Sequence, residues 1–172
     1  MEHSATPSLR VRLACMLYEA MLLFGVLFIA GWLFSTMTQQ RHALYLRNAM
    51  EVWLFIVLAM YFAWFWSHGG QTLAMKTWRI RLERATGGPV GFWRAVLRYA
   101  LAWMWFLPGL VVAWLVGAKG WMLVLIPCAN AAIWCMLAFL DPQRQFLHDR
   151  LAGTRLVRLP LTLGKRKRTK AA

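Results

Sequence analysis

Few residues in this chain have chemistry to offer, and the first pair stands near its start. Arg12 and Glu19 flank the opening of a long apolar run covering residues 13–34. Seven residues make two helical turns, so both side chains fall on one face, roughly 10 Å apart at 1.5 Å per residue. An acidic residue inside a bilayer costs about 2.5–3.5 kcal/mol on insertion scales, which the surrounding Leu, Phe, Ile and Met can cover. Glu19 is therefore compatible with a membrane span but needs compensation. Asp149, between His148 and Arg150, supplies a second charged group near the other end of the chain. Ionisable residues within membranes mark paths for protons, cations or small solutes, or else lock helices together. The expected cluster is Arg12, Glu19 and Asp149, supported by Arg150 and His148, and both roles are open to it.

Other chemistries find no such support. His148 and Asp149 are adjacent, so on a helix they point about 100° apart, and no third ligand has helical spacing beside them. Cys15, Cys128 and Cys135 all fall in apolar stretches and read as small packed hydrophobes, with no zinc or disulfide framework. There is no glycine-rich phosphate loop and no nucleophile motif. The expectation is a chain that is not an enzyme and holds neither cofactor nor metal.

The elements that must position the charges are membrane spans. Of 172 residues, 60% are hydrophobic and 15% charged, far more apolar than an ordinary soluble domain. The net charge of +14 lies between and beyond the apolar runs rather than on a soluble fold, which argues against nucleic acid as a partner. About 20 helical residues cross a bilayer. Residues 13–34, 49–66, 99–116 and 121–140 approach that length. The run after Arg12 is too long for a cleavable signal and should stay as the first span. Of the 20 Lys and Arg, all but Arg41, Arg47 and Lys119 fall on one side of the spans. By the positive-inside rule both termini and the middle connection are cytoplasmic. Pro108 and Pro127 lie within the third and fourth spans, which can be straight, kinked or re-entrant.

Between spans two and three, Gly69 and Gly70 stop a helix and Thr72 can cap a short one through Lys76. Residues 78–83 alternate like a strand, and residues 86–89 form a turn. From Gly91 an interfacial helix is expected, with Arg94 and Arg98 on one face and Phe92, Trp93, Val96 and Leu97 toward lipid. Asp141 and Pro142 suggest a helix start, giving an amphipathic helix over residues 143–151 whose Phe146, Leu147 and Leu151 face the membrane. Residues 154–159 can pair with 78–83 in a small antiparallel contact. The fold expected is an all-α polytopic membrane protein with four transmembrane helices, cytoplasmic amphipathic helices and a short two-stranded pairing. Asn130, inside span four, reads as a hydrogen bonder between helices.

Three stretches together resemble the RDD family of bacterial membrane proteins. They are Arg12-Leu13-Ala14 with Glu19 seven residues on; Gly70-Gln71-Thr72-Leu73-Ala74-Met75-Lys76 followed by Trp78-Arg79-Ile80-Arg81; and Arg144-Gln145 with Leu147-His148-Asp149-Arg150-Leu151-Ala152-Gly153-Thr154. The family takes its name from an arginine at the start of the first span, an aspartate within that span and a further aspartate. Arg12 matches the first, Glu19 stands in the place of the second, and Asp149 matches the third. Glutamate keeps the charge but carries it about one methylene further out. The resemblance implies a single RDD-type membrane domain over residues 1–160, a bacterial inner-membrane location, and a cytoplasmic motif of Gly70, Gln71, Thr72, Lys76 and Arg79. It also implies transport of some ligand or ion.

The alternative to transport is an accessory or assembly protein whose basic face meets anionic lipid or a protein partner, with a homo-oligomer as a further expectation. Lys165, Arg166, Lys167 and Arg168, in the tail 161–172, are the residues expected against an anionic leaflet, at about 1 kcal/mol each.

Overall fold

The computed structural model describes residues 6–39, 46–141 and 145–160. Pro142, Arg144 and the basic tail from Lys165 to Arg168 lie outside the described residues. Among the described residues, four helical runs are long and apolar enough to cross a membrane: Leu9–Met37 (α1), Arg47–Ser67 (α2), Phe92–Leu115 and Met122–Leu140. The first begins earlier than its apolar stretch, so that Arg12 sits inside the helix rather than at its threshold. The third run consists of α4 (Phe92–Ala102), a 3-10 turn (Trp103–Trp105) and α5 (Leu107–Leu115), with Pro108 in the first turn of α5. Proline is tolerated there because first-turn amides have no partner within the helix. The segment expected to lie along the interface is thus continuous with the third run.

Between α2 and α4 come α3 (Leu73–Thr77) and strand β1 (Ile80–Arg84). After the fourth long helix, α6 (Met122–Leu140), come α7 (Leu147–Leu151) and strand β2 (Thr154–Arg158). The two strands pair antiparallel, with Leu82 opposite Leu156. That pairing joins segments more than seventy residues apart and is the one expected from alternation in the sequence. Ile80, Leu82 and Leu156 turn toward one core, shared with Ala63, Trp66, Met75, Ala95 and Tyr99.

Helix α2 is the centre of this packing. Trp53 Nε1 donates to the Ala30 carbonyl of α1, and Tyr99 of α4 donates to the Phe55 carbonyl, while Phe62 and Tyr99 stack. Helices α5 and α6 pack closely around Gly109, where an added Cβ would come within 2.8 Å of the Pro127 Cα. Asn130 Nδ2 donates to the Trp105 carbonyl at 2.6 Å and the Met104 carbonyl at 3.3 Å. It ties α6 to carbonyls of the 3-10 turn, the interhelical role its place in an apolar span suggests.

Several expectations fail, and at Phe146 the reason is that a face was assigned to lipid when a tertiary neighbour covers it. Phe146 is buried, with 2% of its surface exposed. The helix expected over residues 143–151 begins only at Leu147, because Gln145 and Phe146 are extended. Gln145 behaves like a strand residue: its side-chain oxygen accepts from Leu156 N and its Nε2 donates to Leu156 O. In α4, Arg98 is buried with Ala95 and Tyr99 while Arg94 is exposed, so the two arginines do not act as one interfacial face. Cys128 is exposed and Cys135 half-buried; only Cys15 is a buried thiol.

Candidate functional site

The charges near the N-terminal end of α1 form two groups. In the first, Glu19 is buried in α1 and each of its carboxylate oxygens accepts from a hydroxyl. Tyr61 of α2 donates to Oε1 at 2.8 Å, and Thr72 donates to Oε2. Thr72 is also the N-cap of α3, its Oγ1 accepting from Met75 N at 3.3 Å. One hydroxyl thus serves both roles, as donor to the carboxylate and acceptor for a helix amide.

What places Thr72 is the turn before it. Gly70 has φ +73°, its carbonyl accepts from Leu82 N at 2.7 Å, and a Cβ there would lie 2.5 Å from the Leu82 carbonyl oxygen. Gln71 Nε2 donates to the Ile80 carbonyl at 2.7 Å. Arg79, at φ +53°, turns the chain from α3 into β1, and its carbonyl accepts from Leu159 N. The Gly70, Gln71, Thr72 stretch is therefore a hinge of backbone contacts that presents one hydroxyl to Glu19. Lys76 and Arg79 are exposed and take no part in that contact.

The second group gathers around α7. Asp149 is fully buried, and its Oδ1 accepts from Arg98 Nε of α4 at 2.6 Å. The Arg98 guanidinium lies 4.2 Å above the Trp66 ring. His148 Nδ1 accepts from Trp105 Nε1 at 3.2 Å, while its Nε2 is 3.6 Å from Asp149 Oδ1. An indole N–H can only donate, so Nδ1 keeps its lone pair and the imidazole is the neutral tautomer with its proton on Nε2. Phe146 stacks on His148 at 5.6 Å, and the guanidinium of Arg12 stands 4.5 Å over the Phe146 ring. Arg12 thus meets α7 through an aromatic stack.

Of the expected cluster, Arg12, His148 and Asp149 come together with Arg98, whereas Glu19 belongs to the hydroxyl group. Arg150 turns outward, its Nη1 donating to Asp141 Oδ1 at 2.7 Å. Tyr61 and Trp105 carry no expectation from the sequence. A tyrosine within an apolar span was a usable signal for Tyr61. Arg98 was expected with Arg94 on the polar face of an interfacial helix, and nothing in its spacing marks it as buried.

Burial pushes the His148 imidazole down to about 4, against an attraction from Asp149 that acts the other way. The unfolded chain takes up this proton near pH 6.5, and the folded one resists it until about pH 4. Stability should therefore fall as pH is lowered from 6.5 to 4, by roughly 3 kcal/mol at most. His148→Gln should flatten that part of the profile, as measured by unfolding midpoints in detergent between pH 4 and 7. An unchanged slope in the variant would assign the pH dependence to other groups.

Between the two groups lies a cavity of about 570 Å³, bordered by α1 on one side and by α4 and the 3-10 turn on the other. Arg12, Glu19, Thr72, Arg98 and His148 are its polar edge, and Met16, Leu17, Leu58, Phe62, Trp103 and Phe106 are among its apolar walls. Its volume falls in the range of small-molecule sites. Leu17 and Phe106 are both at its margin and strongly exposed, so the mouth is rimmed by apolar residues of the long helices.

The profile of the RDD family matches residues 6–153, which takes in both groups and all of the cavity lining except Leu156. The chain belongs to the RDD family. RDD proteins are membrane proteins, in keeping with the four long apolar helices of this one. No curated protein and no solved structure matches the chain. The three stretches that carry the resemblance converge in space: Arg12 and Glu19 on α1, Gly70 to Thr72 ahead of α3, and His148 with Asp149 on α7.

Proposed function

We propose that this RDD protein carries a small solute or ion across the membrane through the cavity between α1 and α4, with Glu19 as the acid that exchanges a proton. The observation that supports this most directly is that Glu19 borders a cavity of about 570 Å³ within the long apolar helices while its oxygens are held by the hydroxyls of Tyr61 and Thr72. Neutral donors orient a carboxylate without neutralising it, so a proton or solute cation can do so in turn. On the positive-inside argument, the sheet, α7 and the Arg12 end of the cavity lie toward the cytoplasm.

The test is flux in proteoliposomes loaded with a pH-sensitive dye, under imposed gradients of Na+, K+ and a small organic anion. The parent protein should move protons with at least one of them, and Glu19→Gln should lose that flux by about tenfold or more. A parent that moves nothing under all three gradients would sink the transport reading. A second reading is that the charges act as a structural clasp. The buried ion pair between Arg98 and Asp149 favours it, because it joins α4 to α7 and Asp149 is absent from the cavity lining. Lost folding yield in Glu19→Gln, with no flux in the parent, is its expected signature.

A further inference from the structure

Resting on the transport reading, we infer that the solute is an amphipathic anion, with its charged end at Arg98 and Arg12 and its apolar body between α1 and α4. Three observations define this class. The first is sign. Two arginines and one carboxylate line the cavity, His148 is neutral, and Asp149, the partner of Arg98, is not on the lining, so a ligand meets the arginine and not its counter-charge. Glu19, the one carboxylate on the lining, is engaged by the hydroxyls of Tyr61 and Thr72. Arg98 commits its Nε to Asp149 and is also a lining residue of the cavity. A guanidinium presents five N–H donors in a fork suited to carboxylates and phosphates.

The second observation is the wall. Met16, Leu23, Leu58, Phe62, Trp103 and Phe106 line the cavity beyond the polar edge. A hydrated inorganic ion gains nothing from such walls, whereas a hydrocarbon or aromatic body matches them. The third is access. Leu17 and Phe106 at the margin are exposed and belong to helices long enough to span the bilayer. An apolar body can therefore enter from the hydrocarbon while its head stays beside Arg12, close to the start of α1. A carboxylate on a single chain and the phosphate of an anionic phospholipid share this chemistry.

Photolabelling of the purified full-length protein in detergent tests the inference. The probe is a long-chain fatty acid with a diazirine near the end of its tail, and adducts are mapped by peptide mass spectrometry. Adducts are expected on Met16, Ala20, Leu23, Leu58, Phe62 and Trp103, which line the cavity. Excess decanoate should reduce them at least about tenfold and decyltrimethylammonium, with the same body and opposite charge, should leave them in place. Ala20→Phe, which places a ring into the cavity from α1, should abolish them without requiring any change at the arginines. Competition by phosphatidylglycerol but not phosphatidylcholine assigns the anion to membrane phospholipid. Competition by decanoate alone assigns it to a single-chain acid.

Adducts confined to outward residues such as Met21 and Phe28, or displaced equally by the cationic competitor, would overturn the inference. The two proposals fail separately. Proton flux with Na+ or K+ in a protein whose cavity is not labelled leaves transport standing and removes the amphipathic anion. Charge-selective labelling in a protein without any flux does the reverse, leaving an anion-binding site with no transport.

Discussion

Asp149→Ala should destabilise the folded protein by about 3–5 kcal/mol, the cost of removing one partner from a buried ion pair. The pair is short, at 2.6 Å, and both side chains are shielded, Asp149 completely. Removing the carboxylate leaves the Arg98 cation inside the protein with its face on Trp66 and its Nε–H unsatisfied. Because Arg98 stands on α4 and Asp149 on α7, the loss should loosen the junction between the third helical run and the segment that carries β2. The check is the temperature at which the detergent-solubilised protein loses its monodisperse elution peak. Arg98→Met combined with Asp149→Leu should recover much of the loss, since the desolvation penalty disappears together with the attraction. An Asp149→Ala protein within roughly 1 kcal/mol of the parent would behave like a broken surface pair, and would refute the assignment of this contact as a structural tie.

The other large effect is expected at Gly70, where Gly70→Ala should cost about 3 kcal/mol or more. An L-residue held in the left-handed region costs about 1–2 kcal/mol by itself. Its Cβ would in addition stand 2.5 Å from the Leu82 carbonyl oxygen, a backbone atom that cannot swing aside. Moving β1 away breaks the bond from Leu82 N to the Gly70 carbonyl, about 1 kcal/mol more. Gly87→Ala provides the control. Its φ is +90° and the space around it is open, so only the conformational part should be lost. Equal destabilisation of the two variants would contradict the close approach at Gly70. The displacement should also reach Glu19, because Thr72 stands two residues beyond Gly70 and donates to its carboxylate. Gly70→Ala is therefore expected to reduce any Glu19-dependent flux further than Gly87→Ala does.

These two positions show why some of the molecule could be read in advance. The spans were legible because a bilayer demands about 20 consecutive apolar residues with all backbone groups paired internally, a requirement local in sequence. The Thr72 cap was legible for a similar reason, since it involves an amide three residues away. The strand pair could be inferred from alternation, although its register depends on contacts across the chain. Phe146 and Arg98 were misread because an amphipathic pattern states that two faces differ but not what covers either. Phe146 is apolar in a polar neighbourhood, which suits a lipid-facing residue and equally a ring buried beneath Arg12. Arg98 repeats the spacing of Arg94 at one helical turn, yet only Arg98 meets Trp66 and Asp149.

By itself the sequence determined that the chain is a membrane protein with four apolar runs, that a carboxylate lies inside the first, and that three charged or glycine-rich stretches stand together in family order. The first two follow from residue type and short spacing, and the third from the resemblance to the family. The tertiary structure decided the partners. It gave Glu19 the hydroxyls of Tyr61 and Thr72, gave Asp149 the guanidinium of Arg98, and left a cavity between α1 and α4. Neither pairing could be read from spacing, since the partners lie about forty to fifty residues apart. Hydrogen-bond geometry at that separation is set by how helices and strands pack, and packing is a property of the whole chain.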